Sequence, residues 1–412
     1  MFVITARAVP WVAAVMPEVK MKSKVYLDNA ATTQVDEGVL EVMKPFFSES
    51  YGNASSLHSL GGAAKKSLEK ARKVIADSIG AKSEEIVFTS GGTEGNNLAL
   101  KGVAFANKDE GNQIVTTKVE HKCVLESCKW LEKQGFNVTY LDVNEEGFVK
   151  LAELEKAINE KTILVSVIHG NNEVGTINDL MKIGEVCRKK GIYFHTDACQ
   201  SFTKTELNVK KMNLDLVTLN GHKIHGPKGV GALYVGEGVK LDSWQHGGFQ
   251  ENGLRAGTEN VPGIVGFAEA VKLAMGSKHI VKMRKLRDKL IKGVLEKIPD
   301  VKINGPTGEK RLCNNIHFSF RFIEGEAIGA SLGDKGISSS TGSACSERDL
   351  KPSYVLKALG LSHENMNGSL RLSLSRFTTE KEIDHVLKVL PRIVKRLREI
   401  SPCGKEEEEH VF

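Results

Sequence analysis

The chain has 412 residues and a mass of 45.0 kDa, which is enough for one large domain and one smaller domain with separate cores. Its 41% hydrophobic and 26% charged residues are typical of a globular protein. The net charge of +6 comes from scattered Lys and Arg, which argues against a nucleic-acid-binding surface and leaves anionic small molecules open as ligands.

The cysteines indicate a reducing compartment. Their odd number and the absence of any C-x-x-C pair argue against a disulfide framework and against a structural zinc site. The seven are Cys123, Cys128, Cys187, Cys199, Cys313, Cys345 and Cys403.

The first twenty residues predict a disordered leader, with a weak signal peptide as the alternative. Their apolar stretch is short and is broken by Pro10, and Met21 stands directly before the first strand-like segment. No later run is apolar enough to cross a bilayer, so we expect a cytoplasmic protein without a membrane partner.

Short β-rich runs alternate with amphipathic stretches between Asp36 and Val235. Strands are predicted at Glu85–Thr89, Gln113–Thr117, Asn137–Val143, Thr162–His169, Tyr193–Asp197, Leu214–Leu219 and Gly231–Val235, with helical stretches such as Leu151–Ile158 and Asp179–Lys190 between them. The alternation predicts an α/β fold with a mostly parallel sheet covered by helices on both faces. Ligands of such sheets bind at the carboxyl ends of the strands.

The pattern changes after Gly253. A charged helix over Ser277–Ile298 is predicted to connect two domains, followed by strands at Asn314–Phe320 and Ser369–Ser375. A last helix begins near Thr379, and Pro391 predicts a kink or a break in it. We therefore expect a large domain over 21–276, whose arm 21–36 packs with a smaller α+β domain over 277–402, and a frayed tail over 403–412.

Three polar features follow predicted strands. Ser90–Gly95 opens a helix with glycines and a threonine, an arrangement that can bind phosphate but that more often is only a turn. Asp197 ends a strand, and an aspartate in that position usually serves only as the N-cap of the helix that follows. Lys223 lies between His222 and Ile224 after another strand, where a half-buried amine can form a Schiff base. Together they match the phosphate, the pyridine nitrogen and the aldehyde of pyridoxal phosphate.

Two further residues are candidates for chemistry. His121 follows a strand and could stack on the ring and move protons, although alone it would be read as an ordinary structural histidine. Cys345 lies in a run of small residues that predicts a mobile, exposed loop, where a thiol is favoured as a nucleophile. Cys123, Cys128, Cys187 and Cys313 fall in patterned segments and are interpreted as packing residues.

Ten motifs resemble the NifS/IscS-type cysteine desulfurases, which are fold type I pyridoxal-phosphate enzymes of aminotransferase class V. The motifs are YLDNAATT (Tyr26–Thr33), GNASSLHSLG (Gly52–Gly61), SGGTEGNN (Ser90–Asn97), VEHKCV (Val119–Val124), NNEVG (Asn171–Gly175), HTDACQ (His195–Gln200), GHKIHGPKG (Gly221–Gly229), RAGTEN (Arg255–Asn260), SSSTGSAC (Ser338–Cys345) and LRLSLSRFTTEKEID (Leu370–Asp384). They occur in the family's order and cover the chain from Tyr26 to about Leu397.

The resemblance implies a role for each matching position. Lys223 corresponds to the lysine that binds the cofactor aldehyde, and Cys345 to the cysteine that takes the sulfur as a persulfide while L-cysteine becomes L-alanine. The implied cofactor contacts are Gly92, Thr93 and His222 at the phosphate, Asp197 at the pyridine nitrogen, Gln200 near the phenolic oxygen, His121 on the ring, Asn172 beside it, and Thr258 donated across a homodimer. Arg371 and Asn172 are expected to hold the substrate carboxylate, and no metal is expected.

The sequence departs from the family pattern at four places. Asn220 stands where a phosphate-binding serine is common, Cys199 replaces a usual threonine, and Ser375 replaces the glycine of SLGRF. The chain also ends soon after Pro402, without the longer tail by which some relatives dock a scaffold protein.

Two other functions are compatible with parts of this pattern. A selenocysteine lyase or another class V enzyme would keep Thr93, Asp197 and Lys223 but would not need Cys345. A non-catalytic scaffold would not need Lys223. The resemblance further implies iron–sulfur scaffold or other sulfur-acceptor proteins as partners, with tRNA thiolation as a second destination for the sulfur.

Overall fold

The structure, a computed structural model, describes residues 25–341 and 352–401. These residues form twelve strands and thirteen α-helices. The strands are β1 (Val25–Tyr26), β2 (Ile86–Thr89), β3 (Gln113–Thr117), β4 (Asn137–Leu141), β5 (Thr162–Ser166), β6 (Tyr193–Asp197), β7 (Leu216–Asn220), β8 (Gly231–Val235), β9 (Val301–Ile303), β10 (Asn315–Phe320), β11 (Ile337–Ser338) and β12 (Ser369–Ser373). The helices are α1 (Glu37–Met43), α2 (Pro45–Ser48), α3 (Ser59–Ile79), α4 (Gly92–Ala106), α5 (Lys122–Lys133), α6 (Leu151–Ala157), α7 (Leu180–Lys190), α8 (Val261–Ala274), α9 (Ser277–Lys297), α10 (Gly325–Asp334), α11 (Tyr354–Ala358), α12 (His363–Asn367) and α13 (Glu380–Ile400).

Seven strands form the central sheet in the order β2-β8-β7-β6-β5-β3-β4. β8 is antiparallel to both of its neighbours, and the other paired strands are parallel. All seven strands predicted between Asp36 and Val235 are present, and the mostly parallel α/β sheet is confirmed. Every residue of β3 and of β5 is buried, which explains why these strands read as runs without polar alternation.

Helices cover both faces of this sheet. Successive strand residues point to opposite faces, so Val217 lies in the core cluster that includes residues of α3, α7 and α8, whereas its neighbour Leu216 lies in the cluster that includes residues of α4 and α5. The same division separates Val165 from Leu164. The helices are therefore held by the sheet, and their termini at its carboxyl edge are fixed in position.

The way in which α4 begins matters for the site. Most long helices here start with a side-chain cap, as α7 does when Asp179 accepts a hydrogen bond from the Lys182 amide. α4 instead follows Gly91, whose φ of 154° favours glycine, and it has no side-chain cap. Its first amide groups are left for another acceptor.

A second, three-stranded antiparallel sheet has the order β12-β10-β9. Its apolar face packs with α9, α10 and α13 in a cluster that includes Leu290, Phe318, Leu372 and Leu390. α9, predicted as a connector, is thus part of this core. Pro391 predicts a kink or a break, and the break is wrong: α13 continues through Pro391 to Ile400, because burial of its apolar face offsets the loss of one backbone donor.

The segment before α1 joins the two cores. β1 pairs in parallel with β11, and Val25 and Leu27 lie in the second cluster. A few residues later, the Thr33 hydroxyl donates to the His222 carbonyl at 2.8 Å, beside the central sheet. These contacts support the division that we propose, with a large domain over 21–276, its arm over 21–36, and a small domain over 277–402.

Within residues 25–341 and 352–401, no helix combines the length and apolar character that a bilayer span requires.

Candidate active site

The carboxyl ends of β2, β3, β6 and β7 lie at one edge of the central sheet. Asp197 is the last residue of β6, and Gly92, His121 and Lys223 follow the ends of β2, β3 and β7. Parallel strands bring their carboxyl ends to the same edge, and in open α/β sheets that edge binds ligands.

The start of α4 forms a close-packed turn that can hold an anion. A Cβ on Gly92 would lie 2.5 Å from the Cys199 sulfur, so only glycine fits there. Asn220 ends β7 next to this turn, 4% exposed, and its Oδ1 is buried with no hydrogen-bond partner. Thr93 is exposed at the first turn of α4. The free backbone amides and the hydroxyl are donors that suit a phosphate group, whereas the Asn220 Oδ1 is an acceptor and needs a donor.

Asp197 is a buried carboxylate held by donors on both oxygens. Oδ1 accepts from the Cys199 amide at 2.9 Å, and Oδ2 accepts from Asn96 Nδ2 at 2.7 Å. These two hydrogen bonds hold the carboxylate in place, where it can accept from the nitrogen of a pyridine ring.

Lys223 and Gln200 converge on one carbonyl of the N-terminal segment. Lys223 Nζ and Gln200 Nε2 both donate to the Ala30 carbonyl, the latter at 2.9 Å. Burial lowers the pKa of Lys223 to about 8, and the positive charges of Arg371 and Lys204 act in the same direction. A large fraction of the amine is therefore neutral near pH 8 and can act as a nucleophile or a base.

His121 caps the N-terminus of α5. Its Nδ1 accepts from the Cys123 amide at 3.3 Å and lies 3.0 Å from the Cys123 sulfur. Burial lowers the pKa of His121, and the Lys223 charge adds to this effect while Asp197 opposes it. The imidazole is therefore neutral at physiological pH.

Arg371, on β12, reaches the same region from the second sheet. Its guanidinium donates to the Asp28 carboxylate at 3.0 Å and to the Asn172 carbonyl at 3.1 Å. The residue is 2% exposed, yet its Nε and the Asn172 Oδ1 have no hydrogen-bond partner. The unsatisfied Nε is a donor and suits a carboxylate ligand, whereas the Asn172 Oδ1 is an acceptor and needs a donor.

Three predicted site residues do not join this group directly. His222 turns its Nδ1 to the Thr32 hydroxyl at 3.1 Å, and burial lowers its pKa to about 4. Thr258 is exposed and lines a separate cavity with Ser90 and Gly229. Cys345 lies outside the described residues.

Four groups at the site were not predicted from the sequence. The Ala30 carbonyl binds Lys223 and Gln200, Asn96 binds Asp197, and Lys204 donates to the Lys223 carbonyl at 3.2 Å. Cys123, interpreted as a packing residue, also contacts His121. Asn96 lies inside SGGTEGNN and Ala30 inside YLDNAATT, so the motifs contained both, but only their contacts reveal what they do.

Comparison with known proteins identifies the family. The sequence model of the family described as "Aminotransferase class-V" matches residues 25–386. The chain belongs to the aminotransferase class V family. It is 51% identical over 389 residues to cysteine desulfurase IscS of Clostridium botulinum, covering 94% of this chain and 98% of that protein. It is 50% identical over 386 residues to cysteine desulfurase IscS of Methanosarcina thermophila, covering 93% and 95%.

Solved structures agree with this assignment. A NifS-like protein, 41% identical, superposes with a TM-score of 0.84 over 90% of this chain and all of that chain. SspA in complex with cysteine, 39% identical, gives a TM-score of 0.78 over 86% and 100%. The predicted family and its fold type are confirmed. Enzymes of this family depend on pyridoxal phosphate, and the residues here fit that cofactor: an uncapped helix start, a fixed carboxylate and an amine of lowered pKa.

Proposed function

We propose that this protein is a cysteine desulfurase: it converts L-cysteine to L-alanine and transfers the sulfur to the Cys345 thiol, which becomes a persulfide. The main observation in support of the proposal is that Lys223, Asp197 and Arg371 lie together beside the uncapped start of α4. The relatives named above are cysteine desulfurases, and one related structure holds cysteine. These findings support the substrate.

Each end of the cofactor has a proposed partner. The amides at Gly92 and Thr93, together with Asn220 and His222, would hold the phosphate. Asp197, held by Asn96, would pair with the pyridine nitrogen, and Gln200 would lie near the phenolic oxygen. When bound, pyridoxal phosphate withdraws electrons from the amino acid, which makes the Cα proton acidic and weakens the C–S bond.

Lys223 and His121 are the proposed proton carriers. The lowered pKa of Lys223, about 8, supports its action first as the amine that binds the cofactor and then as the base that takes the Cα proton. His121 is neutral and packs near Lys223 and Asp197, which supports proton transfer at the substrate thiol. Arg371 and Asn172 would bind the substrate carboxylate.

The second buried amine makes a sharp test possible. Lys204 also has its pKa lowered by burial to about 8 and lies next to Lys223. Borohydride reduction of the holoenzyme followed by peptide mass spectrometry should place the pyridoxyl group on Lys223. A label on Lys204 would contradict the assignment.

Activity is tested with L-cysteine and a thiol reductant, measuring alanine and sulfide together. Lys223→Ala should lose the visible absorbance of the bound cofactor and form no alanine. Cys345→Ala should keep the absorbance and lose persulfide, whereas Cys187→Ala, a buried thiol on α7, should match the parent. Desulfuration by Cys345→Ala at the parental rate would overturn the nucleophile assignment.

We further propose a cytoplasmic homodimer in which Thr258 completes the phosphate site of the partner subunit. Its exposure, and the buried and unpartnered Oε2 of Glu259 in the same cavity, support a missing neighbour. The free thiols of Cys123, Cys128, Cys187, Cys199 and Cys313 support a reducing compartment. Light scattering measures the number of chains in the assembly. The proposed sulfur acceptors are iron–sulfur scaffold proteins, with tRNA thiolation as a second route.

A further inference from the structure

A row of four side chains connects His121 to Asp197. His121 Nδ1 lies 3.0 Å from the Cys123 sulfur, Asn96 Nδ2 donates to that sulfur at 3.1 Å, and Asn96 Nδ2 also donates to Asp197 Oδ2 at 2.7 Å. The row passes from the start of α5 through α4 to the end of β6. It joins the residue proposed to move protons to the residue proposed to hold the pyridine nitrogen.

The position of each hydrogen in this row follows from the chemistry of the groups. Asn96 donates through Nδ2 to the carboxylate of Asp197, so its NH₂ group faces both this carboxylate and the Cys123 sulfur. The Cys123 amide donates to His121 Nδ1, so this nitrogen carries no proton. The thiol hydrogen of Cys123 therefore has Nδ1 as its acceptor, and the neutral ring carries its own proton on Nε2.

Burial keeps the thiol in the donor form. It raises the pKa of Cys123 to about 12, with the Asp197 charge adding to the effect while hydrogen bonds from Asn96 and Thr93 oppose it. A thiol in this state is a poor nucleophile. Its contribution is therefore positional.

We propose that Cys123 is a positioning residue: its thiol donates to Nδ1 of His121, holds the ring in the Nε2–H tautomer, and links it through Asn96 to Asp197. The role rests on the proposed function, because it concerns the proton that His121 handles there. The charged groups that face His121 are Asp197, Lys223 and Lys122.

The first test is the pH dependence of kcat/KM for cysteine in the holoenzyme. Cys123→Ala removes a donor that favours the unprotonated Nδ1, so the pKa of His121 should rise. The acidic limb of the profile should move to higher pH by about half a unit to one unit, which is a loss of about three- to tenfold on that limb. Cys123→Ser keeps a donor and should stay within about twofold of the parent.

The second test does not depend on activity. The S–H stretching band of residue 123, isolated as the infrared difference between the parent and Cys123→Ala, should lie at lower frequency than that of a thiol in apolar surroundings. Cys128 is the matched control: it lies on the same helix and packs in an apolar cluster with Val124 and Leu131. Cys128→Ala should leave the pH profile unchanged.

Three results would overturn the inference. The first is a Cys123→Ala profile that coincides with that of Cys128→Ala, and the second is an S–H band of residue 123 at the frequency of the Cys128 band. The third is a Cys123→Ser variant as impaired as Cys123→Ala. The proposed function is judged separately, from alanine formation by the parent enzyme.

Discussion

Replacement of Arg371 by glutamine tests two effects of the guanidinium in separate measurements: the binding of the substrate carboxylate and the lowering of the pKa of Lys223. The guanidinium makes two hydrogen bonds, to Asp28 and to Asn172, and has one unsatisfied Nε in a site where the residue is 2% exposed. Glutamine keeps a polar amide but removes the charge and the planar fork. The substrate carboxylate should then lose a charge-assisted contact.

The size of the effect follows from that contact. A hydrogen bond to a charged group contributes about 1.5–3 kcal/mol, so kcat/KM for cysteine should fall by about 10- to 150-fold. The loss should appear mainly in KM, because carboxylate binding is alike in the bound substrate and in the transition state. Steady-state kinetics of the reconstituted enzyme measures both constants.

The same variant should also raise the pKa of Lys223. Arg371 is the largest charge that lowers this pKa, so its removal moves the pKa upward from about 8, although burial still holds it below the ordinary value. The neutral amine binds the cofactor. When pyridoxal phosphate is added to the apoenzyme, the pH at which the absorbance of the bound cofactor returns at half of its maximal rate should therefore shift upward. This measurement needs no substrate.

Arg376→Gln is the matched control. Arg376 is also buried and pairs with an aspartate of the N-terminal segment, Asp36, at 2.6 Å. Arg376→Gln breaks a buried ion pair, as Arg371→Gln does, but it removes no proposed substrate contact. Equal rises in KM for the two variants, or an unchanged cofactor-binding pH profile for Arg371→Gln, would refute the assignment of Arg371.

Three further predictions concern stability and the phosphate turn. Gly92→Ala should weaken cofactor retention in dialysis, since the new methyl group meets the Cys199 sulfur at 2.5 Å, and Cys199→Ala should restore it. Glu251→Gln should lower the free energy of unfolding by about 3–5 kcal/mol in urea melts, because it breaks the buried pair with Arg72 at 2.6 Å. Burial lowers the pKa of His195 from 6.5 to about 4, so the unfolded chain binds a proton there that the folded chain does not. This residue should contribute about 3 kcal/mol to the fall in stability between pH 6.5 and 4, beside other histidines of lowered pKa such as His222, and His195→Asn should remove that contribution to the slope.

Each of these has a clear contrary outcome. Cofactor loss in Gly92→Ala that Cys199→Ala does not relieve would point away from a steric cause. A Glu251→Gln variant as stable as the parent would mean that the Arg72 pair contributes nothing net. An acid slope that is unchanged in His195→Asn would assign the pH dependence to other groups.

The sequence alone determined the fold class and the chemistry of the separate motifs. The strand predicted over Thr162–His169 is a mostly apolar run in the sequence, and the polar residues at or just after the ends of β2, β6 and β7 predict a single site, because strand periodicity and strand-end position are local properties of the chain. The ten ordered motifs also indicated the family that comparison then identified.

Only the tertiary structure decided which groups touch. Ala30 is 170 residues from Gln200 and 193 from Lys223, and no local pattern reports a hydrogen bond across that separation. The patterned segment around Cys123 predicts a packing role, yet its sulfur lies between His121 and Asn96. Contacts of this kind depend on how α4, α5 and the N-terminal segment pack on the sheet, which is a property of the whole folded chain.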